Sequence, residues 1–201
     1  MSQVQTITLG GGCFWCTEAV FVKVRGITDV ESGYSNGQVN RPSYEDVCSG
    51  RTGCNEVVKL DFDPEQISLN QILEIFFVVH DATTLNRQGN DSGTQYRSGI
   101  YYSNDEQKQV ANDMIRQMNQ DKLFGRPIVT EVTSLANYWP AEAYHQDYFE
   151  KQPEPGVLRG GGGAESGQVS EDVYVVGEGL IAIYSGAAGT SFHWSGDRIG
   201  T

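Results

Sequence analysis

Cys13 and Cys16 stand three residues apart, directly behind Gly10-Gly11-Gly12. Phe14, Ala19, Val20, Phe21 and Val24 follow with a helical pattern over Cys13 to about Val24. A glycine turn that feeds a helix sets Cys13 at the helix N-terminus, where unpaired N–H groups and the helix dipole favour a thiolate. That pattern points to a nucleophilic sulfur with a depressed pKa. Residues i and i+3 share a helix face, so Cys16 is placed to resolve an oxidised Cys13. Two buried thiols or half of a zinc site are the competing readings. Zinc needs a second pair, and five residues separate Cys48 from Cys54, looser than the usual two to four. Phe14-Trp15 beside the nucleophile supplies two aromatics able to wall a small apolar pocket, although either could simply enter the core.

Four further polar residues complete a reacting set: Tyr44, Glu56, Asp91 and Tyr96. Glu56 opens an apolar strand, where half-burial raises a carboxyl pKa and makes a general acid. Tyrosine hydroxyls donate hydrogen bonds to a polarised oxygen. Taken singly, each of these residues reads equally well as structural or surface polarity.

The elements that must position them alternate irregularly. Strands are expected at Gln5–Leu9, Val30–Tyr34, Val57–Phe62, Arg97–Tyr102 and Ile128–Leu135. Helices are expected from a Ser68 N-cap to about His80, from Asn104 or Asp105 to about Lys122, and from Ala141 to about Lys151. Ser35–Ser43 and Thr83–Gln95 read as loops. Short strands mixed with helices favour an α+β fold, a two-layer sandwich with a mixed sheet and a ferredoxin-like core, over a doubly wound parallel sheet.

The chain has 201 residues and a net charge of -12. Such acidity repels phosphate backbones and anionic lipid heads, which argues against nucleic acid or a membrane surface as partner. No apolar run nears the ~20 residues of a membrane helix. The first residues lack the basic-then-apolar pattern of a secretory signal. A cytoplasmic monomer with reduced thiols is therefore expected.

The motifs then resemble a known family. Gly11-Gly-Cys13-Phe-Trp-Cys16-Thr-Glu18 resembles the signature of the A-type peptide methionine sulfoxide reductases. Four more blocks follow in order: Gly33–Gly37 with Pro42–Gly50, Thr52–Val58, His80–Ser98 and Ala141–Tyr148. The likeness covers roughly residues 4–152. It implies that Cys13 attacks the sulfoxide sulfur and that Phe14 and Trp15 line the slot for the terminal methyl. It implies that Glu56 protonates the sulfoxide oxygen, which Tyr44 and Tyr96 hold with support from Asp91. Methionine leaves and Cys13 becomes a sulfenic acid, which a second thiol converts to a disulfide. Thioredoxin, or another dithiol, reduces that disulfide. The resemblance implies the S epimer as substrate, free or in proteins, with no metal and no bound organic cofactor. The alternative function is a peptide-binding or redox-sensing module impaired in recycling.

Two stretches depart from the family pattern. Where the family usually has His, this chain has Cys54, followed by Asn55. Cys54 precedes Glu56 by two residues, so it joins Cys16 as a candidate resolving thiol, with Cys16 preferred. The second departure is the tail. Members commonly continue into a Tyr-Cys pair and a basic Pro-Lys-Val segment, whereas this chain has no cysteine after Cys54. Its composition changes instead: 12 of its 24 glycines fall in residues 156–201, and the overall glycine share exceeds the usual ~7%. Synonymous codons for Gly156–Val173, read one nucleotide later, encode Tyr-Cys and Pro-Lys-Val in the expected order. The catalytic domain is therefore expected at 1–155, followed by a Gly-rich, frameshifted and poorly ordered tail from 156 to 201. A true linker with a small β segment is the rival reading of that tail.

Overall fold

A computed structural model describes residues 3–151 and three short strands beyond them. The elements run β1 (Gln5–Gly11), α1 (Phe14–Phe21), β2 (Ile27–Ser35), α2 (Tyr44–Cys48), β3 (Asn55–Phe62), α3 (Leu69–Val79), β4 (Arg87–Gln88) and β5 (Asp91–Ser92). They continue with β6 (Ser98–Tyr102), α4 (Asp105–Gln120), β7 (Glu131–Ser134), β8 (Tyr138–Pro140) and α5 (Tyr148–Lys151). The chain divides into two compact units, Met1–Gly161 and Gly162–Thr201. Within the second, β9 (Val175–Val176), β10 (Leu180–Ile183) and β11 (Phe192–His193) form an antiparallel sheet ordered β11-β10-β9. The expected tail from 156 to 201 otherwise lies outside the described residues.

The first unit is α+β. Its six-stranded sheet is ordered β7-β6-β1-β3-β2-β8, and only the β6–β7 pair is parallel. Along β3, Val58, Leu60 and Phe62 are buried while Lys59 and Asp61 are half-exposed. That period of two gives the strand an apolar face, on which Leu9, Phe21, Ile72 and Phe76 join the buried core. On the other face Lys59 bridges Glu31 at 2.6 Å and Thr6 donates to Asp61 at 2.5 Å.

Helix signals in the sequence act where they should. Ser68 accepts from the Gln71 amide, and the Gln71 side chain accepts from the Ser68 amide, a reciprocal capping box. Ile72, Leu73, Ile75, Phe76 and Phe77 then bury the helix. Asn104 caps α4 by accepting from the Gln107 amide at 2.9 Å. On α4, Val110, Met114 and Met118 are half-buried, and Gln107 and Ala111 are its buried residues.

Three expectations differ. The helix expected from Ala141 to Lys151 shrinks to Tyr148–Lys151, and Tyr138–Pro140 before it becomes an edge strand on β2. The cause is tertiary: the Gln146 side chain accepts from Ser32 N and donates to Ser32 O, both at 2.9 Å, pinning residues 141–147 as turns. The five-residue helix α2 is too short to leave a period, although the Ser43–Asp46 capping box marks it. Thr83–Gln95 holds the small β4–β5 hairpin and a 3-10 turn at Thr94–Tyr96.

Ser68→Ala removes one side of the α3 capping box. It should cost about 1 kcal/mol, which lowers the Tm by about 2–4 °C in a domain of this size. Thermal unfolding followed by circular dichroism checks this; an unchanged Tm would show that the cap contributes nothing.

Candidate active site

The sequence ends its first strand at Gly11, and Gly12 makes the turn. Gly12 has φ +91, and a Cβ there would lie 2.5 Å from Gln88 Cγ. Only glycine therefore lets the β4–β5 hairpin close onto this turn. The hairpin is held from behind as well, since Gln88 Oε1 accepts from the Asp81 amide at 3.1 Å. Cys13 is the N-cap of α1, with Phe14 as the first helical residue.

Glu56 reaches this helix start from the centre of the sheet. Its register is set by pairing with Tyr34 across β2 and β3. Only 2% of the residue is exposed. Its Oε2 accepts from the Phe14 amide at 3.3 Å, and its Oε1 has no protein partner. Burial, followed by the nearby Cys13 sulfur, pushes its pKa well above the ordinary carboxylate range, outweighing the Phe14 bond. Glu56 is thus held toward its protonated form, with Oε1 unpartnered.

The two thiols are coupled. The Cys13 thiol is pushed up, first by its hydrogen bond with Cys16 and then by burial. The amides of Cys16 and Trp15 act in the opposite sense, as expected at a helix start, but they are outweighed. Cys16 is exposed, and its pKa is lowered by the same Cys13 bond. The surroundings of Cys13 thus oppose the fall in pKa expected at a helix N-terminus, and the two sulfurs are hydrogen-bonded to each other. Titration belongs to the pair rather than to either sulfur.

Tyr44 and Tyr96 stay neutral donors. Burial is the main cause that raises both phenols, and Glu56 adds to each. The Tyr44 amide is fixed by Glu142 Oε1 at 2.9 Å, while Glu142 Oε2 accepts from Tyr34 at 2.9 Å. Asp91, on β5, lies within electrostatic reach of Glu56, Cys16 and Tyr96. Phe14 is buried and packs against Tyr34 and His145, with ring centroids 5.8 and 5.1 Å away. Trp15 is half-buried; its indole N–H donates to His145 Nδ1 at 3.0 Å, and its ring stacks on Tyr148 at 3.8 Å and 7°.

Cys54 is elsewhere in this arrangement. It is buried, its amide donates to Thr52 Oγ1, and a Cβ on Gly37 would lie 2.1 Å from its sulfur. Asn55 instead turns to the other side, donating to the Tyr101 hydroxyl at 2.8 Å and to Arg97 O at 3.0 Å. Among the described residues no group of His, Cys, Asp and Glu is arranged to hold a metal.

Sequence reasoning assigned no role to Tyr34, His145, Glu142 or Tyr148. Each sits inside a motif quoted above, but its contacts link segments more than 100 residues apart. No local signal carries such a pairing.

A hydrogen-bonded pair of thiols near a buried carboxyl of raised pKa, on an α+β scaffold, is the constellation of a thiol-based oxidoreductase. A family profile described as "Peptide methionine sulfoxide reductase" matches residues 5–163. The "Peptide methionine sulfoxide reductase MsrA" of Trichodesmium erythraeum is 56% identical over 150 residues, which is 75% of this chain and 85% of that protein. Mxr1 from Saccharomyces cerevisiae, solved in reduced form, superposes with a TM-score of 0.72 at 36% identity, covering 76% of this chain and 87% of Mxr1. Mxr1 solved in complex with Trx2 superposes at 0.52 and 26% identity, covering 73% and 85%. The chain belongs to the peptide methionine sulfoxide reductase family and is an oxidoreductase acting on methionine sulfoxide.

Glu56 offers a pH test. The folded state holds its proton more tightly than the unfolded chain, so ionisation works against folding. This contribution to stability is complete below the ordinary carboxylate pKa and is lost as pH rises through the elevated one. Glu56→Gln should abolish that loss, so the variant gains on wild type as pH rises above the ordinary carboxylate range. Urea unfolding as a function of pH measures it, and a difference that does not change with pH would refute a raised Glu56 pKa.

Proposed function

We propose that the chain reduces methionine-S-sulfoxide, free or in proteins, by chemistry centred on Cys13. The observation that carries this reading is the buried carboxyl of Glu56, its Oε1 unpartnered and its pKa raised by burial and by the nearby Cys13 sulfur. Loss of the Cys13 proton to solvent leaves a thiolate on Cys13, to which the hydrogen-bonded Cys16 thiol donates. That sulfur attacks the sulfoxide sulfur while Glu56 gives its proton to the sulfoxide oxygen. The phenols of Tyr44 and Tyr96 hold the same oxygen, with Asp91 supporting the acid. Phe14 and Trp15 wall the slot for the methyl group. The S–O bond breaks, methionine leaves, and the oxygen passes to Cys13 as a sulfenic acid.

Cys16 resolves it, expelling water and forming a Cys13–Cys16 disulfide. The hydrogen bond between the two thiols and the exposure of Cys16 favour it over the buried Cys54. A dithiol then reduces the disulfide. Thioredoxin is the proposed reductant, because a structural relative was solved in complex with Trx2. No bound cofactor or metal enters the scheme. The protein is proposed to work in the cytoplasm as a monomer, without nucleic acid or membrane. No described helix is long and apolar enough to cross a bilayer.

The finer fold reading is a ferredoxin-like core. The order β6-β1-β3-β2, all antiparallel, with α1 between β1 and β2 and α3 between β3 and β6, supports it. The proposed catalytic domain is 1–155 and the tail 156–201, read from about Val157 in a shifted frame. The coding DNA tests this, since codons incompatible with Tyr-Cys and Pro-Lys-Val in the next frame would sink it.

Cys13→Ser should abolish sulfoxide reduction. Mass spectrometry of wild type after one equivalent of substrate, without reductant, should show a Cys13–Cys16 bridge. A Cys13–Cys54 bridge would overturn the choice of Cys16. One methionine per chain with no turnover on thioredoxin would favour the recycling-impaired module.

A further inference from the structure

Glu18 is a buried carboxyl, 2% exposed, that the proposed chemistry does not use. It lies on α1 one turn beyond Trp15. Its Oε1 accepts from the Ser32 hydroxyl at 3.1 Å, which anchors it to β2. Its Oε2 accepts from the Tyr148 amide at 3.2 Å, and the Asp147 amide also bonds to the carboxyl. These two amides belong to consecutive residues more than 120 positions away in sequence.

The backbone there is unusual. Asp147 has φ +53, a left-handed conformation sparsely populated by residues other than glycine. This turn delivers Tyr148 onto Trp15, where the rings lie nearly parallel, 3.8 Å apart. The amides of this turn meet the buried carboxyl and tie it to α1. The same helix thus carries both the indole and the group that fixes the ring stacked on it.

We propose that Glu18 is a positioning residue for the methyl slot: it holds the Asp147–Tyr148 turn so that Tyr148 clamps the Trp15 indole. This rests on the reading of Trp15 as a wall of that slot. The His145 and Gln146 bonds tether the same segment, but neither touches Tyr148. Glu18 is the bond at the clamp itself.

The test compares wild type with E18A, E18Q, Y148A and the E18A/Y148A double variant, on methionine sulfoxide and on its S-ethyl analogue. E18A should raise KM for methionine sulfoxide and lower kcat/KM by about ten-fold, the scale of one misfitted methylene. It should leave kcat largely intact and weaken the preference for S-methyl over S-ethyl. Y148A should do the same, and the double variant should be no worse than Y148A. E18Q should recover most of the loss, since its amide oxygen can accept from Tyr148 and its NH2 can donate to Ser32. Additive losses in the double variant, or E18Q as poor as E18A, would overturn the proposal. If E18A fails to fold, Y148A and E18Q still decide it on KM and S-alkyl preference. A separate readout needs no turnover: in ¹⁵N-labelled protein the Trp15 indole N–H and Tyr148 amide resonances should move in E18A and hold in E18Q. Resonances that stay put in E18A overturn the clamp even where sulfoxide reduction is normal. Loss of all reduction in wild type would refute the functional reading and leave the clamp standing on its spectra.

Discussion

The bond from the Phe14 amide to Glu56 Oε2 ties the start of α1 to the centre of the sheet. It fixes where Cys13 sits, because Phe14 follows it as the first helical residue. It also requires burial of Glu56, and burial is what raises the carboxyl pKa. One contact thus sets both the place of Cys13 and the environment of Glu56. A carboxyl left unpaired and ionised in that position would be costly.

Around this contact the protein builds in two tiers. Glycine turns and strand pairing set the backbone: Gly12 lets the β4–β5 hairpin descend, and the β2–β3 register points Glu56 at the helix. Aromatic and polar side chains from the end of the first unit then close the site. Glu142 holds Tyr34 and the Tyr44 amide, His145 holds Trp15, and Glu18 receives the Tyr148 amide. His80 belongs to the same logic behind the nucleophile turn. Its Nδ1–H donates to Phe76 O at 2.5 Å, its Nε2 accepts from Ser98 at 2.7 Å, and burial pushes its pKa down to about 4. A neutral imidazole there packs against Phe76 without bringing a charge near Glu56.

The pairing of Cys13 with Cys16 shows why local arguments stop short. A helix N-terminus lowers a thiol pKa, and the amides at this one do act in that sense. The hydrogen bond to the neighbouring sulfur and burial dominate instead, so Cys13 cannot be read from its helix position alone.

The sequence by itself singled out the residues of the proposed site: Cys13 and Cys16 from a glycine turn that feeds a helix, and Glu56, Tyr44 and Tyr96 from motifs that resemble the family. It also determined the helices with capping signals, such as α3 from Ser68, because caps and periodicity are local. Tertiary structure decided the rest. It turned Ala141–Asp147 from a helix into turns, since Gln146 finds both backbone groups of Ser32 and a side chain 114 residues away outweighs helix propensity. It set Cys54 under Gly37, just before β3, while Glu56 reaches the Phe14 amide. It gave Glu18 its place against Tyr148. Residue types and caps are written in neighbouring letters, but burial and long-range hydrogen bonds exist only once the chain has closed on itself.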